Sequence, residues 1–533
     1  MPLDAGTDAP FPSSLTASLG NCTAWNSFCG IPRITYRRND CDSFLGRFES
    51  TLRIRCLLQF GGNLVHCLAA VVANELHIPG NIPICPPSCN DIVVFAAETL
   101  HIDKEVIMKS ESLAKAYVLT HGVRFTQEAL DFAVRFNAKR QNGVYNLPAG
   151  EPSNQPNQRH KHALKILPSE NRLHRPQELF LRGYDGYTVC VSAVAPVLNR
   201  EPAIVDFSKG ELSLATPSRP AIGRMLDRIT FVAQPSYYDR HTLSGRAVKR
   251  WVSACGYDEM NIWPWHDCAI SRPCTFCGIN AVQKQAGKDA DLLHALDMRR
   301  DLDADRFWLS VREQVVAEIT EAVGLAIDDD CYREEIHLII ISGNLADHQL
   351  DTQARIYADI ASAITLRYPG RFAEGAVAVT APPSNLAQLK VMRDGGIEVG
   401  VFNLEAFTPT AFALHCPGKD RIGRDHYLKT LEAGVEVFGW GRSWCNFVLG
   451  LEPIADLLSG CEELASRGIT PGANVLHLDH GASAKLDPPD LETVIRFYRE
   501  LATICRRHKQ RPYYCQLALR TSLANEAFSG RLD

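Results

Sequence analysis

The sequence lacks an excess of basic residues, since 56 lysines and arginines stand against 61 aspartates and glutamates, for a net charge of −5. Proteins that bind nucleic acids or anionic membranes through their surface charge carry a basic surplus. We therefore expect neither a nucleic acid nor a membrane among the partners of this chain.

Long apolar runs are also missing. The most apolar helical run, residues 64–73, is too short to cross a bilayer and contains a histidine. Residues 1–15 are acidic and rich in proline and serine, without the basic-then-apolar pattern of a secretory signal. We expect a cytoplasmic protein, in which 18 scattered cysteines are reduced thiols that include a metal site rather than a disulfide framework.

The most informative stretch is one short loop, residues 266–278. It contains three cysteines at the spacing Cys-x5-Cys-x2-Cys, which are Cys268, Cys274 and Cys277. Three thiolates from one loop can hold three irons of a [4Fe–4S] cluster and leave the fourth iron without a protein ligand. The loop therefore predicts a metal centre with an open position.

Two other interpretations of this loop stay open. Zinc accepts the same soft ligands, and His266 could be its fourth ligand, but a second Cys-x-x-Cys pair is missing nearby. Cysteines that only pack in a core are the other alternative, because free cysteine is commonly buried.

Composition divides the chain into five parts. An α-rich N-terminal domain is expected first, because apolar residues recur at three and four positions. A linker rich in proline, asparagine, glutamine and histidine follows, then a small β-containing segment, a region of alternating strands and helices, and a C-terminal tail. The expected boundaries are 1–141, 142–175, 176–244, 245–515 and 516–533.

The fourth part predicts an α/β fold. Six strand-then-helix units follow one another, and the predicted strands include residues 336–342, 375–380, 397–402, 446–451 and 474–478. Such alternation is typical of a parallel sheet with right-handed crossovers, curved into a partial or full (β/α) barrel. Chemistry in such folds lies where strands end, and the strand-like run 261–263 leads into the cysteine loop.

The cysteine loop and the segments at the strand ends resemble the radical SAM superfamily, and within it the biotin-synthase-like branch. The resemblance covers residues 255–515, and the usual superfamily spacing is Cys-x3-Cys-x2-Cys. It implies a [4Fe–4S] cluster on Cys268, Cys274 and Cys277, together with S-adenosylmethionine. Aromatic Phe276 occupies the position before the last cysteine, as in the family.

The resemblance also implies residues that bind S-adenosylmethionine. Ser342, Gly343 and Asn344 match the segment that receives the amino group, although Asn344 replaces the family's glutamate. Asn403 and Glu405 match the ribose-binding segment. Arg424, preferred to Arg421, would bind the carboxylate with two parallel hydrogen bonds, and Val448 would contact adenine.

Other groups at the strand ends are expected to face the substrate. Catalytic candidates are His266, Glu452, Asp479 and His480, with Arg442, Cys445 and His477 nearby. Asp479 or His480 could bind or deprotonate the substrate. Each strand-end Asn or Glu also has a structural alternative as a helix cap.

The resemblance implies a radical reaction. One electron, from an external donor of the flavodoxin or ferredoxin type, would split S-adenosylmethionine, and the 5′-deoxyadenosyl radical would take hydrogen from a small-molecule substrate. One alternative is an iron–sulfur or zinc protein without radical chemistry. Another alternative is a barrel lyase or aldolase. Such an enzyme requires a catalytic lysine at a strand end, and the sequence offers no good candidate.

Overall fold

The computed structural model describes residues 109–139, 175–266, 268–270, 272–279, 303–332, 335–478, 482–512, 515 and 517–532. They belong to one compact unit, Glu105–Asp533. The predicted α-rich part before residue 109, most of the predicted linker, and the candidates Asp479 and His480 lie outside the described residues. Within those described ranges, the structure contains no helix that is both long and apolar enough to cross a membrane.

Two small three-stranded sheets precede the main sheet. Their strand orders are β1-β4-β5 and β3-β2-β6. The elements are α1 Ser110–His121, β1 Val123–Phe125, α2 Gln127–Phe136, β2 Glu178–Arg182, β3 Thr188–Ser192, β4 Ala203–Ser208, β5 Glu211–Ala215, α3 Pro220–Arg224 and β6 Arg228–Phe231. The part of the chain predicted as a β-containing segment holds β2 to β6, whereas the predicted domain boundaries stay a prediction.

The main sheet is a curled half barrel of seven strands in the order β13-β12-β11-β10-β9-β8-β7. β7 and β8 form an antiparallel hairpin, and the strands from β8 to β13 are parallel. The bounds are β7 Val252–Cys255, β8 Glu259–Ile262, β9 Ile336–Ile341, β10 Phe372–Val379, β11 Ile397–Val401, β12 Ser443–Leu449 and β13 Ile469–Val475. The predicted α/β partial barrel is confirmed.

Helices follow these strands and cover the outside of the sheet. Their bounds are α4 Ala304–Ala326, α5 Leu350–Arg367, α6 Gln388–Asp394, α7 Pro409–His415, α8 Pro417–Ile422, α9 Arg424–Phe438, α10 Ile454–Ser466, α11 Leu491–Arg507 and α12 Ala524–Phe528. In α11 the side chain of Asp490 accepts from the Thr493 amide and caps the helix start. Leu491, Val494 and Tyr498 are buried at spacings of three and four, which directs one face to the core.

Alternation along the strands separates an outer from an inner apolar layer. Leu338 and Ile340 of β9 belong to the large core under the helices. Ile339 instead packs with Val377 and Trp444 in a separate cluster on the other face. Both faces are therefore covered, which explains why β9 reads as a continuous apolar run.

The last strand differs from its prediction. The sequence predicted a strand at 474–478, but β13 runs from Ile469 to Val475 and ends before His477. The sequence does not indicate the first part of β13, because Pro471 and Gly472 are residue types that normally weaken a strand. β13 lies at the sheet edge and pairs only with β12 in that sheet, so a proline without an N–H is tolerated there.

Candidate active site

The cysteine loop lies over the carboxyl ends of the strands and is held there by backbone hydrogen bonds. The Ala269 amide donates to the Asn344 carbonyl, directly after β9, across 2.7 Å. The Thr275 amide donates to the His415 carbonyl at the end of α7, across 2.8 Å. The Thr275 carbonyl accepts from the amides of Ser483 and Ala484, both across 2.8 Å. Three separate segments of the barrel mouth therefore fix the loop.

A glycine in α8 allows the loop to approach closely. A Cβ at Gly418 would lie 2.0 Å from Cγ2 of Ile270 and 2.3 Å from the carbonyl oxygen of Arg272. Neither distance is possible for a real side chain, and one of the two contacts is to backbone. Only glycine therefore lets α8 and the cysteine loop pack together as they do.

The three cysteines have unequal surroundings. Burial raises the pKa of Cys268 to about 11. A thiol hydrogen bond from Cys416 lowers the pKa of Cys274, and the nearby Lys419 ammonium acts in the same direction. Lys419 and Cys416 were not singled out in the sequence. Their signal is the Cys-Pro-Gly-Lys run that begins α8, where a cysteine and a lysine come close to the loop.

The loop fits an iron–sulfur centre by the chemistry of its donors, since three soft thiols follow one barrel strand. In the described residues, no three side chains of His, Cys, Asp or Glu converge closely enough to hold a metal ion. The assignment of Cys268, Cys274 and Cys277 as ligands therefore stays a prediction.

His266 stands beside the loop and stacks on Trp263, with ring centroids 5.4 Å apart. Its Nε2 lies 3.0 Å from the Arg250 carbonyl oxygen. Burial lowers the pKa of His266 to about 3, so the ring is neutral at physiological pH. A neutral ring needs a proton on Nε2 to make this contact, which leaves Nδ1 as an acceptor.

The segment after β9 supports the loop from below. The Trp265 amide donates to the Ser342 hydroxyl across 3.2 Å, and the Trp265 indole donates to the Gly343 carbonyl across 2.7 Å. The Asn344 side-chain oxygen accepts from the Ala381 amide across 2.7 Å. The three residues predicted for the amino group of S-adenosylmethionine thus lie directly against the cysteine loop.

Asn403 and Glu405 lie in the loop after β11. Oε1 of Glu405 accepts from Nζ of Lys419 across 2.7 Å, and the Asn403 carbonyl accepts from the same ammonium across 2.7 Å. Oδ1 of Asn403 accepts from the Asn446 amide across 3.0 Å. Glu405 also has a left-handed backbone, with φ of 68°, a conformation that tends to occur at functional sites.

Arg424 and Glu452 lie around the same loop. Nε of Arg424 donates to the Phe407 carbonyl across 2.8 Å, and its guanidinium lies 4.9 Å from the centre of the Phe407 ring. The Glu452 carboxylate accepts from the amides of Phe407 and Thr408 and from the Thr408 hydroxyl. These contacts place Glu452 at the start of α7, where a carboxylate is favourable.

Phe276 and Val448 share one apolar cluster at the barrel mouth, together with Leu451 and Leu476. The structure therefore brings Phe276 of the cysteine loop together with Val448, the residue predicted to contact adenine, from distant parts of the chain. Two other candidates lie elsewhere. Arg442 precedes β12 and is 3.5 Å from Glu398, at the far end of the sheet. Cys445 is fully buried in the core under the helices.

A cavity of about 240 Å³ lies inside the half barrel, beside the start of the cysteine loop. The hairpin register explains its polar wall, because Ser253 pairs with Asn261 and Cys255 pairs with Glu259. Paired residues share a face, so all four side chains point to the interior. Asn474, His477 and the segment 518–521 complete the lining. Sequence reasoning missed Glu259 and Asn261, since a four-residue strand carries too little pattern.

Comparison with known proteins gives one curated relative. The chain is 26% identical over 277 residues to bacteriochlorophyllide c C-7(1)-hydroxylase from Chlorobaculum limnaeum. The match covers 50% of this chain and 65% of the relative, so the chain spans less than two thirds of that protein's length. No protein-family model matches the chain.

Solved structures give weaker likenesses. The FeFe-hydrogenase maturase HydG from Carboxydothermus hydrogenoformans has a TM-score of 0.30 at 11% identity, with 47% of this chain and 51% of that chain covered. A second structure of HydG has a TM-score of 0.31 at 13% identity, covering 52% and 53%. Scores of this size support no argument about function.

The structure combines a parallel half barrel with a three-cysteine loop after its first parallel strand, an arrangement typical of barrel enzymes whose site lies at the barrel mouth. Together with the likeness to the curated hydroxylase, these features support a resemblance of the chain to enzymes of the radical SAM superfamily.

Proposed function

We propose that this enzyme reductively cleaves S-adenosylmethionine and uses the resulting radical to take hydrogen from a small-molecule substrate. The observation that carries the proposal is the Ala269–Asn344 hydrogen bond, which holds the cysteine loop against the end of β9. When bound, a [4Fe–4S] cluster would supply the electron that splits the sulfonium and yields the 5′-deoxyadenosyl radical.

The residues around the loop have complementary tasks in this proposal. Cys268, Cys274 and Cys277 would hold the cluster. Phe276 and Val448 would offer an apolar surface to adenine. The Asn403 amide would donate to the ribose, since its Oδ1 already accepts from Asn446, and Oε2 of Glu405 would accept from a ribose hydroxyl.

Two segments would bind the amino-acid part of S-adenosylmethionine. Ser342, Gly343 and Asn344 would offer oxygen atoms to the ammonium group. Arg424 would bind the carboxylate through its terminal nitrogens, because only its Nε is used by Phe407. These groups position the cofactor and exclude water, which is the main protein contribution to a radical step.

In this proposal His266, Glu452, Asp479 and His480 would be the residues that contact the substrate. The name of the curated relative describes hydroxylation at a carbon, a change that begins at a C–H bond. Hydrogen abstraction from carbon is thus compatible with that likeness. An external one-electron donor of the flavodoxin or ferredoxin type would supply the reductant.

Anaerobic reconstitution with iron and sulfide tests this function. We expect iron in the purified protein, and 5′-deoxyadenosine when S-adenosylmethionine and dithionite are added. Alanine at Cys268, Cys274 or Cys277 should remove both. Cys331→Ala is the matched control, because this partly buried thiol lies outside the loop beside Asp329. Zinc with four protein ligands, or full iron content in the loop variants, would contradict the proposal.

A further inference from the structure

The cavity inside the half barrel contains a carboxyl group of unusual environment. Glu259 is 9% exposed and lines the cavity from β8. Its Oε1 accepts from the Asn261 amide across 2.7 Å, and its Oε2 lies 3.4 Å from the Cys515 thiol. Among the described residues, Glu259 forms no ion pair. A buried carboxyl without a cationic partner is costly when ionised.

A second buried carboxyl group, that of Glu178, differs from Glu259 because it has cationic partners. Glu178 is 1% exposed and accepts from both Lys139 and Arg520. Lys139 also donates to the Ala254 carbonyl. Glu178, Lys139 and Arg520 thus satisfy one another as a structural network. Glu259 stands outside this network and faces the cavity with Asn261.

The charges around the cavity favour an anion. Lys139, Lys249 and Arg520 are its three cationic groups. Only Lys249 lacks an anionic partner in the described structure, and it is exposed at the rim. Burial raises the pKa of Glu259 to about 7, and the nearby Asp258 carboxylate acts in the same direction. Among the described residues that line the cavity, Glu259 supplies the one carboxyl group, so the lining carries three cations and no carboxylate when Glu259 is protonated.

The thiols and the phenol near Glu259 do not change the net charge of the cavity lining. The thiols of Cys255 and Cys515 are buried, and burial raises both of their pKa values. The Tyr238 phenol is neutral at physiological pH, because burial raises its pKa to about 12. The cavity therefore presents a net positive field when the Glu259 carboxyl is protonated.

We propose that this cavity is the substrate site and takes a small organic acid, whose carboxylate is attracted by Lys249 and accepts a hydrogen bond from the Glu259 carboxyl. Trp263 and Ile341 would contact its apolar body. The inference rests on the proposed function, because it assigns the substrate of that reaction to this cavity. His266, two residues before Cys268, is one of the residues that line it.

Binding of three matched probes tests the inference without any turnover. The probes are 3-phenylpropanoate, 3-phenylpropanamide and 3-phenylpropylamine, which share one body and differ in charge. Isothermal titration calorimetry at about pH 6 should show the acid binding about tenfold tighter than the amine, a difference of about 1.4 kcal/mol. The amide should fall between them.

Variants and pH identify the groups responsible. Lys249→Met should reduce the preference for the acid, whereas Lys390→Met, in an exposed pair far from the cavity, should not. Binding of the acid should weaken several-fold as pH rises through about 7, because ionised Glu259 then repels a second carboxylate. Glu259→Gln, which keeps the shape of the side chain, should remove this pH dependence.

Several results would overturn the inference. They are equal or tighter binding of the amine, no saturable binding of the acid at millimolar concentration, or unchanged behaviour of both cavity variants. The three-cysteine alanine variant separates this failure from failure of the proposed function. If 3-phenylpropanoate binds to that variant and to the wild type, but no 5′-deoxyadenosine is ever formed, the anion site stands and the radical reaction does not.

Discussion

Lys419 of α8 donates its ammonium group to the carboxylate of Glu405 across 2.7 Å, next to the cysteine loop. The two side chains are only 10% and 16% exposed, and Lys419 also binds the Asn403 carbonyl. The pair thus joins α8 to the loop after β11, where the ribose-binding residues are expected.

Lys419→Met should destabilise the protein by about 3 kcal/mol, because it leaves the Glu405 carboxylate largely buried without its partner. Urea unfolding of the unreconstituted protein measures this change. Lys390→Met is the control, since its pair with Asp394 is 73% and 61% exposed and should contribute less than about 0.5 kcal/mol. Equal effects of the two substitutions would contradict the structural role of Lys419.

Gly418→Ala should displace the cysteine loop, because the new Cβ would overlap Ile270 and the Arg272 carbonyl. We expect a loss of stability of about 2 kcal/mol and a lower iron content after reconstitution. Gly245→Ala is the control, since Gly245 has φ of 82° and open space around its Cα. It should lose about 1 kcal/mol through backbone strain but keep its iron. Normal iron content in the Gly418 variant would show that the close approach is unimportant.

Glu259 should make stability depend on pH. Its pKa of about 7 lies above the ordinary value of 4.5, so the folded protein holds this proton more tightly than the unfolded chain. Stability should therefore fall as pH rises from about 4.5 to about 7, by on the order of 3 kcal/mol, and then stay level. The difference between wild type and Glu259→Gln in chemical unfolding across this range isolates the effect. A constant difference would mean that Glu259 titrates normally.

Glu452→Gln should test whether this residue is structural or catalytic. Its carboxylate accepts from two amides at the start of α7, so loss of the charge should cost about 1 kcal/mol. Glu436→Gln, at an exposed position in α9, should change stability by less than about 0.5 kcal/mol. Unchanged stability together with a loss of 5′-deoxyadenosine formation would instead assign a catalytic role to Glu452.

Much of the half barrel could be predicted because its signals are local. The predicted strand 336–342 became β9, since a strand that is buried on both faces is a continuous run of apolar residues within one short segment. The true extent of β13 was not predicted, because Pro471 and Gly472 are residue types that disfavour a strand. Pairing with β12 makes this segment a strand, and no local sequence pattern predicts that pairing.

The candidate site shows the same division. Cysteine spacing alone predicted a metal centre at residues 268–277, because one short loop there supplies several ligands for a metal. The cavity could not be predicted in this way. Glu259 and Cys515 are in contact across 256 positions of sequence, and the alignment of Ser253 with Asn261 depends on a hairpin register.

By itself, the sequence determined the order of strands and helices in the second half of the chain and the loop in which the thiols lie. Those features depend on neighbours within a few turns of backbone, where periodicity and spacing act directly. The tertiary structure alone decided that Glu405 is bound to Lys419, that Glu452 meets the start of α7, and that Glu259 lines a cavity without forming an ion pair to another described residue. Such contacts form only after distant segments pack, because desolvation and pairing of charges depend on what folding brings beside them.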